Sequence, residues 1–132
     1  MSTITEDYVS FETAKLLKEK EFECEKKYIT AMYNEIGTFL SLSTAADEYC
    51  DYGDFDEYDY VAPTLQMTMK WLRRVHKLYI DPEYLDFLEH GEVWVTKIVD
   101  MKTFKEFSME NTESSYEEAC EVAIQYCLEN LV

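Results

Sequence analysis

Three features of this 132-residue sequence predict an α+β fold, an antiparallel sheet of about four strands with three helices packed mainly on one face. Apolar residues recur at helical spacing in three stretches, around Phe11–Leu17, Leu65–His76 and Tyr116–Leu131. Runs rich in β-branched and aromatic residues lie between them, the strongest being Glu92-Val93-Trp94-Val95-Thr96-Lys97-Ile98-Val99. Gly 3 and Pro 2 leave little material for long irregular connections, so most of the chain belongs to regular elements. Length and composition predict a single domain over 1–132, large enough to bury a core without disulfides or metal.

The first helix starts after Ser10, a good N-cap, with Glu12 placing an acid in its first turn. Phe11, Ala14 and Leu17 mark its apolar face, and lysines close it near Lys20. Residues 27–34 are β-prone, Asn34-Glu35-Ile36-Gly37 turns the chain, and residues 38–42 form the return strand of a hairpin. An alternative leaves 25–33 as continued helix. Residues 47–61 read as an acidic, Tyr-rich loop, because their interleaving of acids and rings has neither helical nor strand period.

Pro63 suits the first turn of a second helix. That helix buries Leu65, Met69 and Leu72, with His76 at the border of the same stripe. Lys70, Arg73, Arg74 and Lys77 recur at i, i+3, i+4 and i+7 and form a separate basic face. Leu78-Tyr79-Ile80 is a short apolar run ending at Asp81-Pro82, Glu83 to Leu88 is ambiguous, and His90-Gly91 is a turn. The strand 92–99 follows, Asp100-Met101-Lys102 turns, and 103–108 pairs back. Ser114-x-x-Glu117 and Ser115-x-x-Glu118 are both capping-box patterns opening the last helix. Its apolar face, through Ala119, Ala123 and Cys127, should pack on Trp94 or the strand neighbours of Trp94.

Charge narrows the function classes. The formal net charge is -16, from 12 Lys+Arg against 28 Asp+Glu, yet 47% of residues are hydrophobic, too many for a disordered chain. A surface of this sign repels nucleic acid and anionic membrane, so neither is an expected partner. No run of about 18 apolar residues provides a transmembrane helix, and the start of the chain has no basic n-region or apolar h-region. Cys24, Cys50, Cys120 and Cys127 include no Cys-x-x-Cys pair. Cys120 and Cys127 on one helix stand about 10.5 Å apart along its axis, too far to bridge. Reduced thiols in a cytoplasmic protein are the expectation.

The catalytic inventory is thin. Only His76 and His90 are available as imidazoles, and there is no Gly-x-Ser-x-Gly, phosphate-binding Gly-rich loop or His-Glu-x-x-His. The six Cys and His residues are scattered, which argues against zinc. Asp51, Asp54, Asp56 and Asp59 do not match the spacing of an EF-hand loop, so calcium would bind only adventitiously. No catalytic residue, metal or cofactor is expected.

The acidic segment is the candidate binding region. Residues 47–60 hold seven carboxylates and five aromatic rings without one basic residue. Asp47, Glu48, Tyr49, Asp51, Tyr52, Asp54, Asp56, Glu57, Tyr58 and Asp59 are the candidate contacts, since acid plus tyrosine suits a basic protein partner. Fully extended, such a segment spaces its acids roughly 6.6 Å apart. DNA carries one phosphate every ~3.4 Å per strand. Nucleic-acid mimicry would therefore need further acids such as Glu110, Glu113, Glu117, Glu118 and Glu121 on the same face. The competing reading is a solvated loop that keeps the protein soluble. For Lys70, Arg73, Arg74 and Lys77, internal neutralisation by this loop is favoured over a phosphate or nucleic-acid contact.

Three blocks carry a resemblance: residues 8–20 (YVSFETAKLLKEK), residues 62–73 (APTLQMTMKWLR), and residues 115–121 through 126–131 (SYEEACE and YCLENL). Together, over roughly a third of the chain, they resemble a family of small uncharacterised proteins of gut Bacteroides-type bacteria and their phages and mobile elements. The resemblance implies a cytoplasmic protein of phage or mobile-element association and carries over no catalytic residue. The expected function is a non-enzymatic protein-interaction module binding a protein partner through its acidic surface. The alternatives are an acidic nucleic-acid mimic that inhibits a host DNA- or RNA-binding protein, and an enzyme or small-ligand binder with a carboxylate-lined pocket.

Overall fold

The computed structural model describes residues 6–41, 59–87 and 91–132. It is α+β, with three α-helices and two three-stranded antiparallel sheets among the described residues. The chain divides into two compact units, Met1–Thr64 and Leu65–Val132.

In the first unit, Ser10 caps helix α1 (Phe11–Glu19): its side-chain oxygen accepts from the Thr13 backbone N–H at 3.3 Å. Thr13, Ala14 and Leu17 form the buried face. A short 3-10 turn at Lys26–Tyr28 precedes β1 (Ala31–Tyr33), so the regular strand is shorter than the β-prone stretch 27–34. The hairpin to β2 (Phe39–Ser41) forms as expected, with Tyr33 opposite Phe39. Its turn is built by Asn34, whose Oδ1 accepts from both Ile36 N and Thr38 N, and by Gly37 at φ 91, a conformation that favours glycine.

The end of the stretch read as a loop is a strand instead. β3 (Tyr60–Val61) pairs antiparallel with β1 and makes β1 the centre of the sheet β2-β1-β3. Two residues are too short for a period-2 pattern to register, and the neighbouring acids obscured them. Pro63 also differs from expectation. It lies ahead of the next helix rather than in its first turn, and its carbonyl accepts from the Val9 N–H at 3.1 Å. Rings gather on this unit: Tyr8, Phe39, Tyr33, Phe11 and Tyr60 form a chain with successive centroids 5.4–5.6 Å apart.

In the second unit, helix α2 (Leu65–Val75) buries Leu65, Thr68, Met69, Trp71 and Leu72, including the three apolar residues expected. Strand β4 (Leu78–Phe87) then runs straight through Asp81-Pro82, where the sequence had indicated an end. An edge strand tolerates proline if the missing N–H is on the outer side. That condition holds here. Pro82 stands opposite Thr96, whose carbonyl is turned away to accept from Met109 N at 3.0 Å.

β5 (Gly91–Asp100) is the central strand, bearing the expected 92–99 run, and β6 (Glu106–Ser108) is the far edge. Residues 103–105 belong to the turn, leaving β6 shorter than expected. Leu78, Ile80, Thr96 and Ile98 are buried on one face of this sheet. Helix α3 (Tyr116–Asn130) contacts β4 and β5, and Thr96 Oγ1 donates to the Ala119 carbonyl at 3.3 Å. Its cap is as expected: Ser115 Oγ accepts from Glu118 N at 3.1 Å, and Ser114 Oγ donates to Glu118 Oε2 at 2.8 Å. Ala119, Cys120, Ala123, Ile124, Cys127 and Leu128 are its buried face. The expected single four-stranded sheet is thus replaced by two smaller ones, each with its own helical cover.

Candidate functional site

Of the acidic candidate contacts, the structure describes Asp59; Asp47, Glu48, Tyr49, Asp51, Tyr52, Asp54, Asp56, Glu57 and Tyr58 lie outside the described residues. The Asp59 carbonyl accepts from Lys18 Nζ at 3.1 Å, and the same ammonium lies 4.9 Å from the centre of the Tyr60 ring. This anchors the C-terminal end of the acidic segment beside the end of α1.

A second acidic stretch begins there. Helix α1 ends in a Schellman motif: Phe22 N donates to the Leu17 carbonyl at 2.9 Å and Glu21 N to the Lys18 carbonyl at 3.1 Å. The left-handed position of that motif is held by Glu21, at φ 62, where glycine is the usual occupant. From this point the chain alternates. Glu19, Glu21, Glu23 and Glu25 are exposed, while Phe22 and Cys24 are half-buried. Lys27 pairs with Glu25 at 3.2 Å; the other three are in no ion pair among the described residues. The stretch is too short for a long helical or strand period to mark it. The signal available was the strict alternation Glu21-Phe22-Glu23-Cys24-Glu25.

The motif also makes a cavity. Turned back by it, Phe22 joins Ala14, Leu17 and Val61 in lining a space of about 110 Å³, with Lys18 and Asp59 completing the wall. Ligand pockets for drug-sized molecules are roughly 300–1,000 Å³. This one has room for a single side chain.

The basic candidates lie on the second unit. Lys70, Arg74 and Lys77 are exposed and Arg73 is half-buried, on the side of α2 away from its buried residues. Among the described residues the ion pairs are Glu12–Lys15, Glu25–Lys27 and Glu106–Lys97, so none involves this face. The acidic loop expected to neutralise it falls largely outside the described residues. His76 sits at the helix end, half-buried, its ring 4.6 Å from that of Trp71 and nearly perpendicular to it. Burial, then the Lys102 charge, lowers its pKa.

Among the described residues the thiols are poor nucleophiles. Burial pushes Cys127 up to about 12 and Cys120 up to about 11, and raises Cys24 as well. Among the described residues no three His, Cys, Asp or Glu side chains form a group that could hold a metal ion. No helix among them is long and apolar enough to cross a membrane. Compared with protein-family models, curated proteins and solved structures, the chain matches none.

Proposed function

We propose that this chain is a non-enzymatic protein-interaction module of phage or mobile-element origin that binds a basic protein partner through its acidic surface. The observation that carries the reading is the exposed glutamate stretch Glu19, Glu21 and Glu23, without ion pairs among the described residues, which flanks in sequence Phe22, a lining residue of the small apolar cavity. A binding surface needs both parts. Charge steers the encounter and excludes wrong partners, whereas a buried side chain supplies most of the affinity. Residues 1–64 hold 15 Asp+Glu against 5 Lys+Arg, so the field around this unit favours a cationic partner. Origin rests on the resemblance of the three sequence blocks alone.

The test is a pull-down from a Bacteroides-type host with the full chain as bait, washed at low and then moderate salt. A triple variant, Glu19→Gln with Glu21→Gln and Glu23→Gln, runs alongside. A basic protein retained by the original chain, lost at moderate salt and lost from the variant supports the reading. Retention indifferent to both salt and the variant rejects it.

A further inference from the structure

The second unit carries a surface of the opposite kind. The β5–β6 hairpin turns through residues 101–105, closed by Phe104 N donating to the Asp100 carbonyl at 2.7 Å and Asp100 N to the Lys105 carbonyl at 2.9 Å. Phe104 occupies a left-handed backbone conformation, φ 64, and the residue is 82% exposed. Both facts run against the physics of folding. A bulky residue at positive φ is strained, and an apolar ring left in water contributes nothing to the core. Glycine would satisfy that turn position better. A strained residue that the fold does not use is a pointer to function.

Its surroundings share one chemistry. Met101 N donates to the Lys77 carbonyl at 2.8 Å, which ties the hairpin tip to the end of α2. Lys77 is itself in the left-handed region, φ 57, and its Nζ donates to the Arg74 carbonyl at 3.0 Å. Lys102 is close enough for its charge to act on His76. Lys105 Nζ lies 5.1 Å from the Phe107 ring centre. Val75 and Met101 add exposed apolar surface. Asp100, at the start of the turn, is engaged in it: its Oδ1 accepts from Lys102 N at 2.9 Å and from Thr103 N, and Glu106, at its end, pairs with Lys97 at 3.8 Å.

We propose that this basic tip, with Phe104 as its apolar anchor, Lys102 and Lys105 beside it on the hairpin, and Arg74 and Lys77 at the end of α2 to which the hairpin is tied, is a second docking surface that takes an acidic segment of a partner protein. Charge complementarity sets the sign of the partner, and the exposed ring supplies the desolvated contact that a hot spot needs. A short acidic segment is favoured over a nucleic acid or a bilayer by range. Residues 65–132 hold 13 Asp+Glu against 7 Lys+Arg. The unit as a whole is net acidic, and a long polyanion or a flat anionic surface reaching beyond the ~8 Å screening length feels that net charge. A segment a few residues long meets only the tip.

Selection from a random peptide display library against the immobilised full chain tests this directly, with Phe104→Gly and the double variant Lys102→Ala, Lys105→Ala as counter-baits. Phe104→Gly relieves the backbone strain, so it folds, with a melting temperature at or above that of the original chain. The expected result is enrichment of peptides combining Asp or Glu with an apolar residue. Their affinity should fall at least tenfold for Phe104→Gly and should fall also for the lysine variant. No enrichment, enrichment of basic peptides, or equal binding to Phe104→Gly overturns the proposal. A single-stranded DNA oligonucleotide, or vesicles of phosphatidylcholine with phosphatidylserine, bound by the original chain and lost with Phe104→Gly, would overturn it in favour of that other anionic partner.

Discussion

Phe22 donates its backbone N–H to the carbonyl of Leu17 at 2.9 Å, and the side chains of both residues line one cavity. A single turn therefore ends α1, shapes the cavity and sets out the glutamates beside it. The residue bearing the conformational cost is Glu21 at φ 62. Glu21→Gly should stabilise the first unit by about 0.5–1 kcal/mol, relief of the left-handed strain exceeding the extra freedom of the unfolded chain. Chemical denaturation checks this. A loss of stability would mean that the carboxylate itself supports the turn.

His76 should titrate below the ordinary histidine value, because burial and then the Lys102 charge disfavour the imidazolium. The sign for stability follows. The folded state resists protonation, so His76 contributes stability above the unfolded value near 6.5 and loses it as pH falls below that value. An NMR titration of the ring should show the midpoint moving up in Lys102→Ala. An unmoved midpoint would leave burial as the whole cause.

Cys120 and Cys127 should resist alkylation in the folded chain at pH 8 and react after denaturation, as read by mass spectrometry of their peptides. With folded values of about 11 and about 12 against 9.0 for a free thiol, few thiolates exist at that pH. Raised folded values also mean that their stabilising contribution is complete below pH 9. It declines as pH climbs through 11 and 12.

Leu128 is fully buried on α3, and Leu128→Ala should cost roughly 2–5 kcal/mol through lost burial and the cavity left behind. Ser115→Ala removes the cap that Glu118 N donates to, at a cost of about 1 kcal/mol. A thermal melt of each variant separates a core effect from a cap effect by size.

Thermal stability should rise when NaCl is added from low to moderate concentration. Net charge -16 and three exposed or half-exposed ion pairs among the described residues leave self-repulsion largely uncompensated. A melting temperature indifferent to salt would contradict this.

The elements legible in the sequence were those with a local chemical signature. Ser10 and Ser115 announced their helices, Asn34 and Gly37 their turn, and Val93-Trp94-Val95 the central strand. What escaped depended on partners distant in sequence. Tyr60-Val61 is a strand because β1 is beside it, and Asp81-Pro82 stays in a strand because β5 bonds on the side where proline lacks nothing. The division into two sheets has no local signature at all. For the sites, the basic residues of α2 were legible from helical spacing. The anchor Phe104 was not, because an exposed ring and a buried one look alike in a strand-like run.

Pro82 has a further effect, on what this protein does in a crowd. β4 is ten residues long and is the edge of its sheet among the described residues. An uninterrupted edge of that length is a template on which another extended chain could grow, strand upon strand. A ring nitrogen midway along it removes an outward N–H from the template, and the flanking Asp81 and Glu83 would oppose like charges in any stacked copy. The same proline that hid the strand from a reader of the sequence thus guards it against fibre-like assembly.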